Sequence, residues 1–408
     1  MKEIKRSIHA LFAKKMQDRK IIILTGPRQV GKTSFLKTYF KDQSVIWFNA
    51  DEADIRQRFA NQNLTFIKQL IGDHKIMVID EAQRISDIGL LLKIIYDNLT
   101  EVKVVVTGSS SLELANSINE PLTGRKWEIN MYPISTYEMI EHTSLLEEQR
   151  LLEHRLIYGS YPDVINNPGQ ESELLKELAD SYLYKDILTW EDIKKPQTLE
   201  KLVQALAFQI GSEFSYNELG QMTGLNHETV QRYMYLLEKA FILFQLPSYS
   251  KNLRNELKKS KKVYFYDLGI RNAVIKNFNP INLRNDKGAL WENYLIIERL
   301  KQKSYYRLHS NDYFWRTHAQ QEIDFIEDYN GLLHAFEFKW NPNKKIKFSK
   351  SFSNAYPDSI RTGVTTDNYL QFLNGGIEKQ VMIYYKLYSL TVIVPTILQY
   401  PPQYPSAE

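Results

Sequence analysis

Gly26-Pro-Arg-Gln-Val-Gly-Lys-Thr33 directly follows the apolar run Ile21-Ile-Ile-Leu24. A strand feeding G-x-x-x-x-G-K-T lets the backbone curl until successive N–H groups point at phosphates. Gly26, Pro27, Arg28, Gln29, Val30 and Gly31, with Lys32, Thr33 and Ser34 opening a helix, are the expected contacts to a nucleoside triphosphate. Lys32 would supply a charge near the β- and γ-phosphates, and the Thr33 hydroxyl a ligand for Mg²⁺. A second buried-strand pattern, Lys75-Ile-Met-Val-Ile-Asp80-Glu81, ends in two acids. Asp80 suits Mg²⁺ coordination, and Glu81 suits orienting and deprotonating an attacking water.

Two further positions extend this set. The strand Lys103-Val-Val-Val-Thr107-Gly-Ser-Ser-Ser111 ends in hydroxyls, with Ser109 placed to sense a γ-phosphate. Leu122-Thr-Gly-Arg125 precedes a strand over 127–131, and Arg125 is expected to reach a transition-state phosphate in its own subunit or a neighbour's, or else to lie on the surface. An arginine acting across an interface would make the protein a homo-oligomer.

The third stretch is Glu322-Ile-Asp-Phe-Ile-Glu-Asp-Tyr-Asn330-Gly331-Leu-Leu-His-Ala-Phe-Glu-Phe-Lys339. Asn-Gly between alternating apolar residues predicts a two-residue hairpin. Tyr329 then faces Leu332, Asp324 faces Glu337 and Glu322 faces Lys339, while Ile323/Phe338 and Phe325/Phe336 form one apolar face. Two acids directly opposite each other repel unless a cation lies between them, which asks for a second divalent metal. Lys339, two residues along the same face as Glu337, is expected to hold a water or stabilise a pentavalent phosphate. The alternative is a solvated sheet face.

The chain has 408 residues, 43% hydrophobic and 25% charged, which describes several globular domains. Without cysteine there is no disulfide framework and no thiolate chemistry. No apolar run has membrane-span length and no apolar signal core follows Met1-Lys-Glu-Ile-Lys-Arg6, so the chain reads as cytoplasmic. The net charge of +4 does not by itself argue for nucleic acid. Residues 134–200 read as helices, with apolar spacing over 145–158 and 174–188. Ser215-Tyr-Asn-Glu218 predicts a capping box, Gly224 a turn, and Asn226 the cap of a second helix through Val230, Tyr233, Leu236 and Leu237. Strands over 241–246 and 263–267 make this a winged-helix outline. Between them, residues 251–262 carry six basic residues and one acid, a wing for a phosphate backbone or a solvated basic hairpin. His227, Gln231 and Arg232 would lie near a DNA groove.

The chain resembles AAA-superfamily P-loop ATPases of bacteria and archaea that carry a winged helix and a C-terminal restriction-endonuclease-like domain. The resemblance rests on Gly26 to Thr33, Ile79-Asp-Glu-Ala-Gln83, Thr107-Gly-Ser-Ser110, Leu122-Thr-Gly-Arg125 and Gly159-Ser-Tyr-Pro162. The Asp, then Glu-x-Lys, of 324–339 resembles a metal-dependent nuclease core, which implies a further acid on a preceding helix, here Glu292, as a metal ligand with Asp324 and Glu337. The implied fold class is α/β: a parallel P-loop NTPase sheet with the strand over 103–108 between the other two site strands, a helical lid, a winged helix and an α/β nuclease-like unit. The expected division is 1–135, 136–200, 201–270 and 271–408. ATP and Mg²⁺ are the expected cofactors, and DNA, bound or cut, the expected partner. The alternative is a nucleotide-switched module that holds proteins and does not cleave.

Overall fold

The protein is described here from a computed structural model covering residues 4–60, 63–108, 121–181, 196–250, 260–317 and 319–373. Helix α1 (Ile8–Met16) leads into β1 (Ile21–Thr25), α2 (Lys32–Tyr39), β2 (Val45–Asn49), α3 (Ala53–Ala60), α4 (Leu64–Ile71), β3 (Ile76–Asp80), α5 (Ile88–Asn98), β4 (Lys103–Gly108) and β5 (Lys126–Asn130). The five strands form an all-parallel sheet in the order β2-β3-β4-β1-β5. β4 thus lies between β1 and β3, as the resemblance implies. β1 is buried throughout because the sheet is covered on both sides. Its alternation sends Ile22 and Leu24 into one apolar cluster and Ile21 and Ile23 into another.

A helical segment follows: α6 (Thr136–His142), α7 (Leu145–Arg150), α8 (Leu152–Tyr158), α9 (Pro162–Asn166) and α10 (Glu171–Ala179). A capping box starts α6, with Ser135 Oγ accepting from Glu138 N and Glu138 Oε2 accepting from Ser135 N. The helix expected over 145–158 is two helices meeting at Leu151. From residue 182 the one expected over 174–188 lies outside the described residues.

Next come α11 (Pro196–Phe208), β6 (Glu213–Phe214), α12 (Tyr216–Thr223), α13 (His227–Lys239), β7 (Leu243–Pro247) and β8 (Lys261–Phe265). Gly224 ends α12 at φ 73°, and Asn226 Oδ1 accepts from Thr229 N at 2.8 Å to start α13. Ser215 stands at the start of α12 but its side chain makes no cap. That end is tied down instead by β6, which pairs antiparallel with β8 in a β6-β8-β7 sheet. Residues 251–259 of the basic run lie outside the described residues. Helix α14 (Leu268–Val274) is buried and packs against α8 and α10.

The 20-residue α15 (Lys287–Tyr306) opens the last unit, followed by β9 (Asn311–Arg316), β10 (Glu322–Tyr329), β11 (Leu332–Phe338), α16 (Lys350–Ala355) and β12 (Ile360–Val364). The sheet order is β12-β11-β10-β9, antiparallel except for β11 with β12. Asn330 (φ 55°) and Gly331 (φ 94°) make the expected turn, and Tyr329 pairs with Leu332. The expected register holds as far as Phe325 with Phe336. There a bulge sets Asp324 and Phe325 against a single residue of β9, between Ile323↔Trp315 and Ile326↔Tyr313. The bulge puts Ile323 with Ile326 and Ala335 in one cluster, apart from Phe325, Phe336 and Phe338 in another, so the single apolar face expected of these residues is divided. Among the described residues no helix is long and apolar enough to cross a membrane.

Candidate functional site

The loop between β1 and α2 has the shape its glycines allow. Gly26 lies at φ 152°, and a Cβ there would meet the Met131 carbonyl oxygen at 2.0 Å, so only glycine lets the loop pack on the chain leaving β5. Gly31, at φ 92°, turns the chain into α2, whose N-terminus faces the cleft with its free N–H groups. Lys32 is 6% exposed and donates to the Gly26 and Pro27 carbonyls at 2.9 and 2.8 Å. Burial lowers its pKa to about 8, against the opposing pull of Glu81 and Asp80.

Asp80 is held at the tip of β3 by two hydroxyls. Thr33 Oγ1 donates to Oδ2 at 2.8 Å, and Thr107 Oγ1, on β4, donates to Oδ1. Thr107 Oγ1 also accepts from Glu81 N at 3.2 Å, and Gln83 Nε2 donates to Glu81 Oε2 at 2.6 Å. Glu81 has φ 52°, a left-handed conformation uncommon for a non-glycine residue and frequent at functional sites. The adjoining cleft measures about 680 Å³ and is lined by Arg28 to Phe35, Asp51, Glu81 and Arg84, with Pro162, Asp163 and Asn166 from the helical segment. The Thr33 hydroxyl and Asp80 carboxylate, adjoining oxygen donors beside a phosphate cradle, fit Mg²⁺.

Arg125 does not line this cleft. Ser109 lies outside the described residues. Arg125 precedes β5, which runs parallel to β1, and its carbonyl accepts from Ile21 N where β1 begins. It therefore lies at the sheet edge opposite the phosphate loop, roughly 16 Å away along five residues of strand. Its guanidinium pairs with Asp97 at 3.0 Å. A role for Arg125 on its own subunit's phosphate is thereby corrected, because the parallel strand order carries it to the wrong end of the sheet.

Arg6 was not singled out from sequence, yet it reaches the loop from the chain before α1. It is 8% exposed and donates to Val30 O at 2.7 Å and Tyr132 O at 2.6 Å, with Nε on Glu138 at 3.1 Å. A lone arginine near the N-terminus carries no motif. The Gly159-Ser-Tyr-Pro162 motif has a visible reason: Ser160 N donates to Asp267 Oδ2 at 2.8 Å, and a Cβ on Gly159 would lie 2.1 Å from the other Asp267 oxygen. Pro162 then starts α9 at the cleft.

The C-terminal acids are arranged as two pairs, each with its own lysine. Lys262 Nζ contacts Glu292 Oε1 at 2.9 Å and is ion-paired with Glu322, while Tyr264 Oη donates to the same Glu292 oxygen at 2.5 Å. Lys339 Nζ lies 3.2 Å from Glu337 and 3.6 Å from Asp324. Asp324 Oδ2 accepts from Phe338 N at 2.7 Å, closing the ladder where the bulge opened it. Burial raises the pKa of Glu337, and the charge of Asp324 adds to it; burial also raises that of Glu292, against Lys262. Among the described residues no three acids or histidines converge as a metal-ligand set. The expected second metal on Glu292, Asp324 and Glu337 does not fit, because ammonium groups neutralise these carboxylates and one Asp324 oxygen is engaged by a backbone amide. Glu322, expected opposite Lys339, turns instead to Lys262 and to Arg316 at 3.7 Å.

Residues 18–140 match the family model of an AAA domain, and 149–281 and 287–383 match two domains of unknown function, DUF8612 and DUF4143. Residues 18–140 are thus similar to an AAA domain and have the fold and loop of a P-loop NTPase. The chain is similar to an uncharacterized protein of Mycobacterium tuberculosis, 26% identical over 359 residues, covering 87% of this chain and 77% of that one. It is also similar to an uncharacterized protein of Methanocaldococcus jannaschii, 23% identical over 382 residues, covering 87% and 83%. Among solved structures it is similar to a Walker-type ATPase of Pyrococcus abyssi, with a TM-score of 0.50 and 15% identity over 67% of this chain and 96% of that one.

Proposed function

We propose that this protein hydrolyses ATP and passes its nucleotide state to the C-terminal unit. The observation that carries the reading is the hydroxyl–carboxylate–hydroxyl chain Thr33–Asp80–Thr107 beside Lys32, with Glu81 at the rim of the same cleft. Thr33 and Asp80 would hold Mg²⁺, which supplies neutralising charge to the β- and γ-phosphates when bound. Lys32 adds its ammonium to that charge, and the N–H groups of the loop and of the start of α2 orient the phosphates. Glu81 accepts the proton of the attacking water, with Gln83 fixing its carboxylate.

We divide the chain into an ATPase core (1–135), a lid (136–200), a winged helix (201–270) and a nuclease-like unit (271–408), working in the cytoplasm. Contacts of α15 support the coupling. Tyr305 Oη accepts from Tyr132 N, Glu298 Oε2 accepts from Thr136 N, and Lys301 Nζ donates to Ile134 O, all on the chain leaving β5. That chain packs on Gly26 and is tied through Arg6 to Val30 of the loop. DNA is the partner we favour, approached by the exposed His227, Gln231 and Arg232 of α13. The two lysine-paired acid sets favour gripping over cutting.

Anisotropy of a labelled duplex, titrated with the protein in ATP and in ADP, tests the coupling; equal affinities in both states overturn it. Incubation with plasmid and Mg²⁺ or Mn²⁺, beside Asp324→Ala and Lys339→Ala, tests the gripping reading. Nicking that both variants lose would establish a nuclease instead.

A further inference from the structure

The Glu292/Glu322 pair is closed from outside its own unit. Lys262 belongs to β8 of the three-stranded sheet, yet its side chain is 2% exposed among acids of α15 and β10. Phe314 lies 5.3 Å from the ammonium on ring-centroid distance. Tyr264, two residues along β8, donates to the same Glu292 oxygen. Across β6, Glu213 pairs with Lys262 in the ladder and sends its carboxylate to Arg316 at 3.3 Å, which lies 3.7 Å from Glu322. Charges of alternating sign, Glu213, Arg316, Glu322, Lys262 and Glu292, thus run between the two sheets.

A buried lysine is kept charged only by partners that outweigh its lost hydration, and two carboxylates with an aromatic face do so here. Removing the ammonium would leave the half-buried Glu292 beside Asp324 without its counter-charge, and Glu322 with Arg316 in place of two cations.

We propose that Lys262 is the resident cation of the Glu292/Glu322 pair, locking the three-stranded sheet onto the C-terminal unit and barring a divalent cation from these acids until β8 withdraws. Access to the C-terminal acids is then governed by the position of the neighbouring sheet.

The test counts Mn²⁺ bound to the full chain without nucleotide, from loss of the free-ion electron paramagnetic resonance signal. Lys262→Met should bind Mn²⁺ at least about tenfold more tightly than the parent. Lys262→Arg should behave as the parent, and adding Glu292→Gln to Lys262→Met should remove the gain. The proposal is overturned if folded Lys262→Met, judged by near-ultraviolet circular dichroism, binds no better than the parent. It is equally overturned if the parent already binds Mn²⁺ at a site that Glu292→Gln removes. Should Lys262→Met fail to fold in metal-free buffer, Mn²⁺ present during refolding is expected to restore the parent's spectrum, and no restoration overturns the proposal.

Discussion

The nucleotide cleft and the C-terminal cluster each place a buried lysine near two acids, and they shift its pKa in opposite directions. Lys32 bonds to the neutral carbonyls of Gly26 and Pro27, and burial brings its pKa down to about 8. Lys262 is buried too, but Glu292 and Glu322 outweigh that burial and hold its pKa above the ordinary lysine value. Beside Lys32 lies a cleft of about 680 Å³. At Lys262 the carboxylates themselves fill the coordination of the ammonium. A site that awaits an external polyanion leaves its cation without a carboxylate partner, whereas a site satisfied within the chain has become an interface.

Substitutions test this contrast from the largest expected effect downward. Lys32→Ala should weaken ATP binding by about 100-fold or more in a fluorescent-nucleotide titration, because its ammonium is buried within the loop that would hold the phosphates. Retained affinity would make the cleft as self-contained as the cluster. Glu81→Gln should keep ATP affinity within a few-fold and slow hydrolysis by on the order of 10²–10⁴-fold in single-turnover assays. Unchanged turnover would remove Glu81 as the base.

The pH dependence of binding sharpens the same point. Free Lys32 titrates near 8, and bound phosphates favour its charged form, so binding above that pH takes up a proton. The dissociation constant for ATP should therefore rise by up to about tenfold per pH unit above 8, and stay flat below it. A flat profile to pH 10 would show that free Lys32 keeps its proton through that range, as a lysine paired with carboxylates does.

Smaller effects are expected away from the cleft. Tyr264→Phe should lower stability by about 1 kcal/mol in denaturant melts by removing the hydroxyl that donates to Glu292, and leave ATP binding unchanged. Arg125→Ala, which removes a half-exposed pair with Asp97, should cost under about 1 kcal/mol and leave ATP affinity as in the parent. A loss of affinity would place Arg125 at a phosphate after all.

The phosphate loop was legible because its chemistry is contiguous: eight residues carry both the turn geometry and the ligands. The Asn330-Gly331 hairpin was legible for the same reason, since left-handed backbone at two successive residues is a local demand. The register failed at Asp324 because the bulge depends on β9, and because an Asp side chain can take the Phe338 amide in place of a strand carbonyl. Lys262 was read only as part of a basic run, for nothing near it in sequence names Glu292 or Glu322 as partners. The position of Arg125 away from its own subunit's loop has a signal in the sequence: a residue preceding a strand parallel to β1 falls at the end where β1 begins.

By itself the sequence determined where the chain turns, which strands are buried and which eight residues form the loop at the cleft, because these follow from backbone sterics and short-range periodicity. Only the tertiary structure decided which charges answer one another. Partners such as Lys262 and Glu292, or Arg6 and the Val30 carbonyl, are 30 and 24 residues apart along the chain, the second pair with α1 and β1 between them. Their pairing is fixed by how sheets and helices pack, and that packing leaves Lys32 beside an open cleft and Lys262 closed within an interface.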